Sequence, residues 1–234
     1  AAEKEDNYEF MTRAYFVMGG VYFRANKLKL ASEVYRKARS SAERWGNESF
    51  IARADLAEGM VYDELANSTD NLNQASSELT KVKVFLDSAL YLYKKVKQYY
   101  LENAPENSLM LANVADNMAK NYQNRAEYLG SSIKDEYLKS VEERREAIEL
   151  YYLAGYDNYR ITNLYSLGNA FLKLYELNVE EAEYLDSARI FINEARQSSI
   201  KNEMAEITRY ANQRLALVYQ YHQTLLSLME EILL

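Results

Sequence analysis

The chain has 234 residues, 48% apolar and 27% charged, a balance that suits a folded protein and excludes a disordered one. One proline and seven glycines are too few for the tight turns of an all-β fold, and a net charge of −7 opposes general binding to nucleic acids or to anionic membrane surfaces. There is no cysteine, which removes disulfides, thiol catalysis and Cys–zinc sites, and no apolar run approaches the roughly 18 residues that cross a bilayer.

In chain order, residues 1–7 are polar and are expected to fray. Two helices follow, over about 8–25 and 27–44, with Asn26 as the breaker and Gly46-Asn47 closing the pair. In the first, Tyr15, Met18, Gly19 and Tyr22 fall at helical spacing; in the second, Leu28, Ala31, Tyr35 and Ala38 do. Trp45, the only tryptophan, stands just before the break and is expected to plug a junction between helix pairs. The pattern returns with Asp55, Gly59 and Tyr62, then Leu86, Ala89, Tyr93 and Val96. Between these helices lies a polar, turn-rich stretch from Asn67 to Ser77, expected to be an inserted loop.

Pro105 marks the next boundary. Ala115, Met118, Ala119 and Tyr122 give a third first helix, and Ala147, Tyr151 and Ala154 its partner, closed by Gly155. The fourth pair carries Leu164, Leu167, Gly168 and Phe171, then Leu185, Ala188, Ile192 and Ala195. A last helix, over about 202–234, has a stripe of Leu215, Val218, His222, Leu225, Met229 and Ile232 at three- and four-residue spacing, widened by Tyr219, Leu226 and Leu233. The expected architecture is all-α, one domain over 1–234, with helix pairs at about 8–45, 48–102, 107–155 and 158–199.

Gly19 and Ala31 let two helix axes approach while Tyr15, Met18, Tyr22 and Tyr35 fill the space around them. These positions resemble the tetratricopeptide repeat, with Tyr15 in the place of its Trp, Met18 of its Leu and Tyr35 of its Phe. The resemblance implies a right-handed superhelical solenoid of about four pairs, capped by the C-terminal helix. The small residues of the second helices fall at 31, 89, 147 and 188, so the array is less regular than the family's repeat of about 34 residues.

The chemistry-bearing residues are few. The single histidine, His222, sits in an apolar stripe and has no triad or zinc-site company. Gly19-Gly20 reads as helix packing rather than a phosphate loop, and the Glu pairs near 142–143 and 180–183 read as solvated faces. No catalytic residue, metal or cofactor is expected, and the chain reads as a non-enzymatic scaffold.

What the resemblance implies is a concave groove lined by the first helix of each pair. It would be lined by Arg13, Phe16, Gly20 and Phe23; by Arg53, Leu56, Met60 and Asp63; by Asn113, Asp116, Lys120 and Gln123; by Thr162, Tyr165, Asn169 and Leu172; and by Tyr210, Gln213, Leu217 and Gln220 of the last helix. Such a groove holds a segment of another protein. Phe16, Phe23 and Met60, with no packing role assigned, are expected to make its main contacts. Family members that clamp a C-terminal carboxylate use Lys and Asn, for which Lys120, Asn117 and Asn169 are the nearest residues and Asp116 an unfavourable neighbour.

The C-terminal stripe is expected to pack partly near Leu185–Ile192 and partly on a partner or a second copy, with His222 protonation weakening the contact. The alternative is a bacterial extracytoplasmic protein that accompanies a transporter and encloses an apolar ligand. The start AAEKEDNYEF is compatible with a periplasmic or lipid-anchored location.

Overall fold

A computed structural model of the chain describes residues 2–68, 76–130, 132–178 and 181–232, with side chains described for 7–68, 77–130, 132–178 and 181–227. Among the described residues there are nine α-helices and no strand: α1 (Ala2–Arg24), α2 (Leu28–Trp45), α3 (Glu48–Ser68), α4 (Ser76–Asn103), α5 (Ser108–Leu129), α6 (Ile133–Leu153), α7 (Asp157–Leu177), α8 (Ala182–Lys201) and α9 (Ala205–Ile232). No described helix is long and apolar enough to cross a membrane. Helix α1 begins at Ala2, earlier than the fraying expected for residues 1–7 allows. Most of the expected loop at 67–77 lies outside the described residues.

The helices end where the sequence supplies residues tolerant of left-handed backbone. Gly46 (φ +74°) and Gly155 (φ +75°) close α2 and α6, and Asn26 (φ +55°) separates α1 from α2. At Gly46 the amides of Gly46 and Asn47 bond back to the carbonyls of Glu43 and Ala42. The Asn47 side chain then accepts the Phe50 amide at 3.1 Å and starts α3.

The chain forms two compact units, one of residues 1–107 with 127–130, the other of 108–126 with 131–234. In the first, α1 packs on α2, α2 on α3 and α3 on α4. Leu28, Ala31, Tyr35, Ala57 and Val61 form the cluster shared by α2 and α3, with Phe16, Tyr22 and Phe23 of α1 packed against it. Asp55 of α3, 2% exposed, ties α2 and α4 to its own helix: Arg39 of α2 donates to one carboxylate oxygen at 2.8 Å and Lys95 of α4 to the other at 2.6 Å. In the second unit, α6 packs on α7, α7 on α8, and α9 on both α7 and α8. Its main cluster runs from Tyr137 and Val141 through Leu167, Leu172, Leu185 and Ile192 to Ala211, Leu215 and Val218.

The small residues sit where helices touch. A Cβ on Gly19 would lie 2.5 Å from Cε1 of Tyr35, and one on Gly59 2.5 Å from Cε1 of Tyr93. On Gly168 it would lie 2.4 Å from Cγ1 of Ile192 and 3.0 Å from that residue's backbone nitrogen. Ala31, Ala89, Ala147 and Ala188, one turn before Tyr35, Tyr93, Tyr151 and Ile192, are all fully buried. The expectation that these glycines serve helix contacts agrees with this geometry.

A polar clip joins α6 to the start of α8. Lys134 donates to Glu181 at 2.6 Å, and Asn178 donates to the same oxygen at 2.7 Å. The Lys134 bond, with help from Tyr184 and Asn178, holds the Glu181 carboxyl below the ordinary value of 4.5. A carboxylate whose value is depressed on folding contributes stability above its unfolded value and loses it as pH falls through the folded one. The melting-temperature gap between the parent and Glu181→Gln should therefore be present at neutral pH and close as pH falls below the ordinary carboxylate value of 4.5. A gap that holds constant through that fall would show the clip to be silent.

Candidate functional site

In the first unit the turn after α2 positions an aromatic and cationic patch. Gly46 and the Asn47 cap bring the rings of Trp45 and Phe50 to 5.3 Å. Phe16 of α1 lies 6.5 Å from Phe50 and 5.7 Å from Tyr35. Two guanidinium groups lie on these rings: Arg53 at 4.9 Å from Phe16 and 4.7 Å from Phe50, Arg13 at 5.2 Å from Phe50 and 6.0 Å from Trp45. Arg13 also pairs with Glu9 one turn away at 2.8 Å. Arg53 has no hydrogen bond or ion pair with any described residue, so its charge is met only by π faces.

Of the expected first-unit groove residues, Arg13, Phe16 and Arg53 come together here. Leu56 is buried, 8% exposed, and Met60 is half-buried. Phe16 and Phe23 both pack against the α2–α3 cluster, which corrects the expectation that they have no packing role. Sequence reasoning assigned Trp45 to a junction and gave Phe50 no role. The signal for Phe50 was its place three residues before Arg53, one turn away on the same helix face.

In the second unit the polar groups gather around a buried arginine. Arg144 of α6, 5% exposed, reaches between α5 and α7. It donates to Gln123 at 3.1 Å, to Asn163 at 3.3 Å and to Asp116 at 3.5 Å. Burial pulls its guanidinium below the usual range, and the Asp116 charge opposes that shift. The hydroxyl of Tyr151 donates to Asn113 at 2.9 Å, and burial with the Asp116 charge raises its ionisation well above 10. The expected groove residue Asp116 is thus already engaged from within the unit. Lys120 is exposed; Asn169 is half-buried, and its Oδ1 has no hydrogen-bond partner among the described residues. Asn117, considered for a carboxylate clamp, donates to the Asn113 carbonyl of its own helix at 2.7 Å. Tyr165 of α7 faces Tyr210 of α9, ring centroids 6.4 Å apart, with Arg209 over Tyr210.

The C-terminal stripe divides. Leu215 and Val218 are buried in the second unit's core beside Leu185 and Ile192, and Leu225 packs against the same cluster, as expected for its inner part. Tyr219 and Leu226 are exposed. Met229 and Ile232 lie outside the described side chains. The ring of His222 stands 3.7 Å from the Asp186 carboxylate. The surroundings of His222 are therefore not only apolar, as its place in the stripe suggested.

Comparison with models of known protein families finds none that matches the chain, and comparison with curated proteins finds no significant match.

Proposed function

We propose that this chain is a tetratricopeptide-like helical-repeat scaffold, without catalytic chemistry of its own, that holds a segment of another protein against the first helices of its pairs. Repeated seats of glycine against a large side chain, at Gly19, Gly59 and Gly168, support the repeat reading. The observation that carries the binding role is the patch of Arg13, Phe16, Trp45, Phe50 and Arg53 in the first unit. Arg53 brings a guanidinium toward the surface with no ion pair to a described carboxylate, and rings flank it. A peptide that presents an acidic side chain next to an aromatic or aliphatic one would satisfy both. The pocket between α2, α3 and α4, about 250 Å³, has a mixed lining, with Arg39, Glu43, Glu48, Asp55 and Lys95 beside Ile51, Ala52, Val96 and Tyr99.

The test is selection of peptides from a random displayed library on the purified chain. Enriched peptides should carry Asp or Glu beside an aromatic residue. Arg53→Glu should weaken the best of them at least about tenfold, the effect of about 1.4 kcal/mol, while its melting temperature stays at the parent's. Peptides that bind both proteins equally would overturn the reading. Phe16→Ala with Phe23→Ala is a poor probe, because both rings help to pack the first unit.

A further inference from the structure

Helix α1 carries an apolar stripe that nothing in its own unit covers. Phe10 is 72% exposed, Val17 64%, Val21 51% and Met18 44%. Phe10, Ala14, Val17 and Val21 recur at spacings of four, three and four, the seam pattern of two packed helices. This stripe lies on the side of α1 opposite Gly19, which faces Tyr35.

The other glycine-seated first helices show what such a face accepts. Counted from the glycine, Ala14, Val17 and Val21 of α1 correspond to Ala54, Ala57 and Val61 of α3, which are 1%, 8% and 0% exposed. In α7, Ala14, Val17 and Val21 correspond to Asn163, Ser166 and Ala170, of which Asn163 and Ala170 are 1% exposed and Ser166 is half-buried. The covering element is in each case the second helix of the preceding pair, α2 on α3 and α6 on α7, joined by a short turn and therefore antiparallel. The open face of α1 is thus of the kind that takes one antiparallel helix.

The charges at the two ends of α1 indicate which helix. In sequence its first turns carry Glu3, Glu5 and Asp6 against one Lys4, while it ends on Arg24 and is followed by Lys27 and Lys29. A parallel pair of α1 helices would set acidic turn beside acidic turn. An antiparallel pair sets the acidic start of each beside the basic end of the other, with Ala14 opposite Val17 and Phe10 opposite Val21. We propose that α1 is the self-association surface of this protein, and that its occupant is α1 of a second copy, antiparallel and related by a two-fold axis near the middle of the stripe.

The test is sedimentation velocity of the full chain over a range of concentrations, with circular dichroism as the control for folding. The parent should pass from monomer to dimer as concentration rises. Val17→Glu, which places a charge in the seam, should raise the dimer dissociation constant at least about tenfold with its helicity unchanged. Arg24→Glu, outside the apolar stripe, should weaken the dimer more at low salt than at high salt. The natural absence of cysteine allows a direct reading of direction. On oxidation, a mixture of Phe10→Cys and Val21→Cys chains should give a covalent heterodimer, and neither variant alone should cross-link. A parent that is monomeric throughout, a dimer that Val17→Glu leaves intact, or cross-linking of Phe10→Cys with itself would each overturn the proposal.

Discussion

Gly168→Leu should lower stability by about 3 kcal/mol, the upper part of the range for overpacking a helix contact, and the melting temperature by roughly 6–12 °C. The neighbours of the missing Cβ set the size of the effect. At Gly168 they include the backbone nitrogen of Ile192 at 3.0 Å and the carbonyl of Ala188 at 3.2 Å, besides the Ile192 side chain. Backbone of α8 yields only if the helix moves, and Ile192 is β-branched and stiff. At Gly19 the obstacle is the ring edge of Tyr35, which can tilt. Alanine at any of these sites also gains about 1 kcal/mol of helix propensity. Gly19→Ala should therefore come out near neutral, Gly59→Ala close to it, and Gly168→Ala clearly destabilising. Thermal melts of the three alanine variants and of Gly168→Leu measure this order. Equal melting temperatures across the set would remove the contact from its place in the argument.

Arg144→Ala should cost about 3–5 kcal/mol, the effect of taking one partner out of a buried charged network. Three acceptors would lose their donor at once: Gln123, Asn163 and Asp116. Arg144→Lys separates the loss of hydrogen bonds from the loss of charge. An ammonium lacks the planar fork that reaches several acceptors, and burial lowers its proton affinity far more readily than that of a guanidinium. A lysine whose value is depressed on folding binds fewer protons in the folded than in the unfolded chain between the two values. Stability of this variant should then rise with pH through that window, up to the unfolded value of about 10.4. The parent should show no such rise, because arginine stays charged. Urea titrations of both proteins at pH 6, 8 and 9.5 read the difference, and parallel pH profiles would mean that residue 144 is not held away from water.

These two sites also show what the sequence discloses and what it hides. A glycine inside an apolar helical pattern calls for something large opposite it, and helical spacing points to the residue four beyond a buried alanine. Tyr35, Tyr93 and Ile192 are where that reasoning places them. Arg144 was hidden by its neighbours. It follows Glu142 and Glu143, so the segment reads as a solvated face, although position 144 shares a helix face with the buried Tyr137, Val141, Ala147 and Tyr151. Charge type outweighed periodicity in that reading, and periodicity decided the fold. Phe16 was misjudged in the opposite sense. Aromatic rings on a face reserved for a partner read as free, but the Phe16 ring is large enough to reach Tyr35 as well as the surface. The carboxylate beside His222 comes from Asp186, a residue 36 positions away on another helix, which no local pattern reveals.

The tyrosines that seat against small residues do more than occupy volume. Tyr93 passes Gly59 and ends in a hydroxyl that donates to Asp63 at 2.7 Å, and Tyr151 ends on Asn113 at 2.9 Å. Both acceptors occupy positions expected to face a partner, while both phenols are rooted in helices behind. Loss of a single oxygen, tyrosine to phenylalanine, would leave the hydrocarbon fit intact and still alter what the half-buried Asn113 offers to the outside, whereas Asp63, 2% exposed, would lose a hydrogen bond inside the unit. Over generations, then, the preferences of such a surface can drift through residues that never appear on it.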